Sequence, residues 1–205
     1  MFTETIESPG SVSTGAASEA HALILLRRSC NRGYAIQPTP DGGAIIRYRK
    51  RHLGQPEPVV HTVTLAPLVP VGDLTDSDTG NLRVIDGAKI SRFADSGRYT
   101  LPVIAAGMYE IPPAQAESLQ ARNLVAADSN GNVRVTLSAR LGLLARAHEQ
   151  LATLDRLAAW CSCGLAISGN TAEQVDAVLL SHLAAVSADF LDSLPAAFTA
   201  AVAAT

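Results

Sequence analysis

Two cysteines one residue apart, in Cys161-Ser162-Cys163-Gly164, precede a helix-patterned run that carries His182. This arrangement constrains the end of the chain more than any other feature. Residues 159–205 are too few to build a core of their own, so a bound metal would substitute for burial. A C-x-C pair on a tight turn brings its sulfurs within about 4 Å, and Gly164 relieves the turn. Thr171 opens the following helix, and Thr171-Ala-Glu-Gln174 has the form of a capping box. His182 lies on the face of Val175, Val178 and Leu179. Thiolates and imidazoles are the ligands zinc prefers, so Cys161, Cys163 and His182 are the expected ligands and zinc the expected cofactor.

A structural zinc takes four ligands. His148 sits about 18–20 Å away on a straight helix and serves only if the chain folds back. Asp189 shares the His182 face about 10 Å further along. Cys30 is distant in sequence. The competing reading is two buried, reduced cysteines beside a satisfied histidine. A Cys161–Cys163 disulfide would be strained.

Of the 205 residues, 47% are hydrophobic and 4% aromatic. A core with so few aromatics draws on Ala, Leu, Val and Ile, which favours helices over a β-sandwich. The expected class is α+β, mainly α. Three cysteines make no disulfide framework. Residues 1–20 carry no secretory pattern, and Ala22–Leu26 and Val175–Ala188 are too short or too interrupted to span a bilayer. The expected setting is the cytoplasm, with no membrane partner.

Local signals divide the chain. Ser, Thr, Gly and Pro dominate residues 1–17, which read as a flexible arm. A helix from Ser18 to about Cys30, a hairpin of Tyr34–Gln37 and Ala44–Arg49, and a strand Val59–Leu65 make an αβββ unit over 18–70. Residues 71–80 read as a linker or loop. Leu82–Ile85 suggests a short strand, Ala88–Ala94 a helical turn or two, and Leu101–Ile111 a short apolar helix. Pro112-Pro113 opens a helix ending near Arg122. Asp128-Ser-Asn-Gly131 joins two strands as a hairpin. Ser138 caps a long helix to 158, with Leu141, Leu144, His148, Leu151, Leu154 and Leu157 at helical spacing. A small hairpin–helix element occupies 159–205, with a break at Pro195.

The text AESLQARNLVAADSNGNVRVTLSARLGLL, with Leu119, Leu124, Val125, Thr136, Ala139 and Arg140 at its marker positions, resembles the second half of a winged helix-turn-helix domain. The resemblant segment is taken as 81–158. The tail WCSCG…NTAEQVDAVLLSHL is similar to short C-x-C-G…His tails of actinobacterial proteins of unknown role. The first resemblance implies a regulator that contacts double-stranded DNA. Gln115 and Gln120 would read bases, and Arg122, Arg134 and Arg140 would hold phosphates.

Charge distribution adds to that expectation. Arg27, Arg28, Arg32, Arg47, Arg49, Lys50 and Arg51 face a single acid, Asp41, within 27–51. Arg47, Arg49, Lys50 and Arg51 therefore join the expected DNA contacts. Glu110 and Glu117 lie close to the reading helix and would repel phosphates. Pairing through the helix 138–158 would give a homodimer. The alternative function is a non-catalytic protein-interaction module with a structural metal site. No nucleophile elbow, phosphate loop, dinucleotide fingerprint or H-E-x-x-H occurs, so an enzyme is not expected. His52 and His61 read as exposed loop and strand residues.

Overall fold

The computed structural model describes residues 1–51, 57–151 and 157–203. Its N-terminal segment is a hairpin of β1 (Phe2–Ser8) and β2 (Ser11–Ala17). The flexible arm expected there is thus corrected. No apolar alternation marks these residues, and β1 is held by its pairing with a distant strand, from Phe2 opposite Pro67 to Glu7 opposite Thr62. Ser18 then caps α1 (Glu19–Asn31), accepting from the His21 N–H.

Strands β3 (Ala35–Pro38), β4 (Ala44–Lys50) and β5 (Val59–Pro67) complete an antiparallel sheet of order β2-β1-β5-β4-β3. Alternation sets its faces: His61, Val63 and Leu65 of β5 and Ala44 and Ile46 of β4 are buried, while Thr62, Thr64 and Ile45 between them are half-buried. The buried face packs on Leu23 and Leu26 of α1 and on later helices.

The segment 71–80, expected as a linker or loop, is loop as far as Thr75, but it is packed in place and does not hang free. Val71 is buried, its N–H donates to the Asp41 carbonyl, and Thr75 with Asp78 forms a reciprocal capping box at the start of α2 (Asp76–Gly87). The β3–β4 turn is jammed against this segment. A Cβ on Gly42, where φ is +87°, would sit 2.4 Å from Val71 Cγ2 and 2.6 Å from the Ser138 carbonyl oxygen.

Residues 82–111 reverse the sequence-based expectation. Leu82–Ile85 is helical, in α2. Strands β6 (Ser91–Ala94), β7 (Val103–Ala106) and β8 (Tyr109–Ile111) form a meander where Leu101–Ile111 predicts a helix. A short apolar run has no period to choose between the two states. Gly107 at φ +62° turns the chain between β7 and β8.

From here the elements run α3 (Pro113–Ala121), β9 (Val125–Ala127), β10 (Val133–Val135) and α4 (Leu137–Ala147). Leu82, Ile104, Leu119, Leu124 and Val135 centre a second core. Thr136, not Ser138, caps α4. The helix stops at His148 instead of continuing to 158; Leu154 lies outside the described residues.

The chain ends with β11 (Gln150–Leu151), β12 (Ala158–Cys161), β13 (Ala166–Ser168), α5 (Ala172–Ser193) and α6 (Ala196–Ala203). Helix α5 buries Val175, Leu179, Leu183, Ser187 and Leu191 in one stripe. Its first half packs on Ala159 and Ile167 as a third small core. Its second half reaches the N-terminal sheet, where the Ser187 hydroxyl donates to the Ile36 carbonyl and Leu191, Leu194 and Phe198 join the first core. By length and composition α5 could cross a membrane (mean hydropathy 1.2). The described residues are about 38% helix and 32% strand, so the expectation of a mainly α protein is corrected. Its strands draw mainly on Thr, Ser, Val, Ile and Ala, with single aromatics at Phe2, Tyr48, Phe93, Tyr109 and Trp160.

Candidate metal centre

Two turns and one helix bring four ligand side chains together. The first turn is the end of α4, where the His148 N–H still donates to the Leu144 carbonyl (3.1 Å) while the chain leaves the helix. β11 then pairs antiparallel with β12, Gln150 opposite Cys161. That register sets residues 148–149 beside 161–162. Ser162 clamps the junction: its N–H donates to the Glu149 carbonyl (2.9 Å), and its hydroxyl accepts from the Glu149 N–H (2.9 Å) and donates to the Arg146 carbonyl (3.2 Å).

The second turn is Cys161–Leu165. The Gly164 N–H donates to the Cys161 carbonyl (2.9 Å), the Cys161 N–H to the Leu165 carbonyl (2.8 Å), and Gly164 has φ +97°. Opposite both turns runs α5. Thr171 caps it by accepting from the Gln174 N–H, but the Gln174 amide oxygen accepts from the Asn170 N–H, so the reciprocal box is incomplete. Leu179 and Leu183 fix the face of α5, and His182 points from its flank into the group.

The ligand atoms of His148, Cys161, Cys163 and His182 all lie within 4.8 Å of one another, and the group can hold a metal ion. Cys161 Sγ is 3.6 Å from His148 Nδ1, His148 Nδ1 is 3.3 Å from His182 Nε2, and Cys163 Sγ is 3.5 Å from His182 Nε2. Cys161 is buried, the histidines are half-buried and Cys163 is exposed. Burial, and then the nearby His182, lowers the His148 pKa from its ordinary 6.5. Burial raises the Cys161 thiol above its ordinary 9.0. The first shift keeps imidazole neutral and ready to ligate. The second means that a metal must displace the Cys161 proton.

The structure thus gathers Cys161, Cys163 and His182, and adds His148. Cys30 packs against the first core, and Asp189 lies outside the group. All three cysteines are free thiols. His61, read from sequence as exposed, is buried, with Nδ1 2.8 Å from the Ser8 hydroxyl and its ring stacked on Tyr48. His52 lies outside the described residues.

The arginines expected on DNA have internal work. Arg134 makes a two-pronged pair with Glu19 (3.1 and 2.7 Å). Arg140 does the same with Asp86 and is 8% exposed. Arg122 donates to Asp78 (2.8 Å) and to the Val71 and Asp73 carbonyls. Arg47 donates to Gln37 (3.1 Å), and Gln115 accepts from Asn81 (3.0 Å). Gln120, Arg49, Lys50 and Arg51 are exposed. No known family, no characterised protein and no solved structure matches this chain.

Proposed function

We propose that this is a zinc-binding protein in which His148, Cys161, Cys163 and His182 form a closed structural centre. One observation carries the reading, the spacing of the donor atoms. A tetrahedral zinc puts two nitrogens about 3.3 Å apart and a nitrogen and a sulfur about 3.6 Å apart. The nitrogen pair stands at 3.3 Å, two of the four nitrogen–sulfur pairs stand at 3.6 and 3.5 Å, and all four donor atoms lie within 4.8 Å of one another.

Hydrogen bonding alone serves this group poorly. Each ring nitrogen offers a single in-plane proton or lone pair. Yet His148 Nδ1 faces both Cys161 and His182, and His182 Nε2 faces both His148 and Cys163. A cation at the centre takes one lone pair from each. Two sulfurs and two nitrogens in a tetrahedron favour zinc over the oxygen-seeking ions. Four protein ligands leave no position for a substrate, so the centre organises structure and is not catalytic.

The test is elemental analysis of protein purified without added metal, followed by cobalt(II) replacement. One zinc per chain and the intense visible bands of tetrahedral cobalt–thiolate are expected. Metal-free protein that gives only the pale spectrum of six-coordinate cobalt would overturn the reading.

A second reading, contact with duplex DNA, is favoured by one feature: Arg49, Lys50 and Arg51 are consecutive, exposed cations at the end of β4. Such a patch binds phosphates without reading sequence. A gel-shift titration at low and moderate salt tests it. Salt-sensitive retardation that Arg49→Ala/Arg51→Ala weakens supports it; no retardation at low salt removes it.

A further inference from the structure

The five-stranded sheet covers one of its edges and leaves the other bare. At one end β3 is four residues long, closes on Pro38 and lies against α5, whose Ser187 hydroxyl donates to the Ile36 carbonyl. At the other end β2 runs for seven residues, and all but Ala17 are exposed. Soluble proteins blunt such an edge with charge, proline or a bulge. β2, Ser-Val-Ser-Thr-Gly-Ala-Ala, has no charged residue and no proline, and its register on β1 runs unbroken from Phe2 opposite Ala17 to Ser8 opposite Ser11. Among the described residues, β1 is its only strand neighbour.

The hairpin turn fixes which backbone groups are spare. Pro9 and Gly10 make a two-residue turn, so the flanking pair Ser8 and Ser11 exchanges hydrogen bonds, and bonded and non-bonded pairs alternate from there. Ser11, Ser13, Gly15 and Ala17 therefore bond to β1, while Val12, Thr14 and Ala16 turn their N–H and C=O groups outward. These three positions are symmetric about Thr14. An antiparallel second copy of β2 centred there sets Thr14 opposite Thr14 and Val12 opposite Ala16, each pair exchanging its outward bonds. A two-fold contact also brings like residues near like, and an uncharged edge tolerates that.

The side chains fit the same register. Thr14, Thr5 and Thr64 already stand in one cross-strand row, with the Thr5 and Thr14 hydroxyls 3.4 Å apart, and a second copy extends the row through its own Thr14. Val12, 68% exposed, is covered by the second copy's Ala16 methyl. Gly15 is the independent sign. Glycine weakens a strand interior and marks a bulge or a close backbone approach. The register here has no bulge, φ is not left-handed, and a Cβ would meet nothing within 4 Å. The isolated chain thus gives no reason for glycine at this position. In the self-paired edge Gly15 faces Ser13 in a non-hydrogen-bonded pair, where two strands approach most closely.

We infer that this chain associates with a second copy of itself through β2, antiparallel about Thr14, so that one sheet continues across both molecules. The metal centre takes no part in this contact. An edge of seven residues is small beside the roughly 1,200 Å² of a standard interface, so a dissociation constant on the order of 10–100 µM is expected.

Sedimentation velocity of the full-length protein, from about 1 to about 500 µM to bracket that range, should show a monomer–dimer equilibrium. Thr14→Lys and Thr14→Glu each set like charges together at the two-fold, and each should weaken the dimer about tenfold or more. Mixing the two variants should restore it, because lysine then meets glutamate. Far-UV circular dichroism checks that both fold. Hydrogen exchange of the wild-type protein gives a reading that needs no variant: the Val12, Thr14 and Ala16 amides should exchange more slowly at high concentration than at low. A protein that stays monomeric throughout, a dimer that both charged variants leave intact, or a mixture no tighter than either variant alone would overturn the inference. If the variants do not fold, β2 amides that exchange at one rate across the concentration range overturn it.

Discussion

The N-terminal sheet and the C-terminal β11–β13 module are both antiparallel sheets with a helix across one face, but they are held differently. The first buries Phe2, Leu26, Ile36, Ile46 and Leu65 almost completely, and draws Leu137, Leu191 and Phe198 from three distant helices. Among the described residues the second gathers only Ala159, Ile167, Val175, Leu179 and Leu183, and sets beside them four side chains that can hold a metal. A large apolar face closes by burial; a small one needs a cross-link. Helix α5 belongs to both regions, so a metal held at His182 would also order a helix whose far end seals the first core.

The largest expected effect separates the two regions. A structural zinc of this class contributes on the order of 10 kcal/mol to the fold that depends on it. Chelation, or Cys161→Ser, should therefore release amide protection in β12, β13 and the first half of α5 while β1, β4 and β5 stay protected. Hydrogen exchange followed by mass spectrometry reads both at once. Uniform loss of protection would show that the regions are a single cooperative unit.

Phe2→Ala probes the opposite side. Phe2 is 1% exposed, and emptying its site should cost about 3–5 kcal/mol in a denaturant titration with zinc stoichiometry unchanged. An unchanged midpoint would show that the N-terminal hairpin adds nothing to the first core.

Acid should dismantle the regions in order. The folded state holds His148 below 6.5 and so disfavours its imidazolium. The unfolded chain then binds more protons below pH 6.5, and stability falls as pH drops from 6.5 through the lower folded value. Protons also compete for the metal ligands, so zinc should leave in this range. The α2 junction lasts longer. Desolvation pushes the Asp78 carboxyl up, but the Arg122 and Thr75 hydrogen bonds outweigh it and hold the pKa below 3.8. That contribution is full above 3.8 and is lost only as pH falls through the lower folded value. Zinc release monitored with a chromogenic chelator should precede the loss of ellipticity. Simultaneous transitions would contradict this order.

The smallest effect belongs to Ser162→Ala. It removes the hydroxyl contacts to Glu149 and Arg146 but no ligand, and should cost about 1 kcal/mol and weaken zinc about tenfold. Competition with a calibrated chelator measures it.

Much was legible locally. Ser18 and Thr171 mark helix starts, Asn130-Gly131 the hairpin, and Cys161-x-Cys163-Gly164 the ligand turn, because each signal acts within a few residues. His148 was harder to see. The leucine spacing from 141 to 157 continues a helix across it, and only the need of zinc for a fourth donor argues for a fold-back there.

What the amino-acid order settled alone is the chemistry available at each point: which groups can ligate, which residues can cap, where a backbone can turn left-handed. The tertiary structure decided the rest. The Ser/Thr-rich start became two strands because β5 offers it an edge, and Leu101–Ile111 became strands because β6 pairs with it. The arginines of β10 and α4 turned to Glu19 and Asp86 because those carboxylates arrive from elsewhere in the chain. Hydrogen-bond ladders and ion pairs need partners, and a partner far off in the chain leaves no local trace.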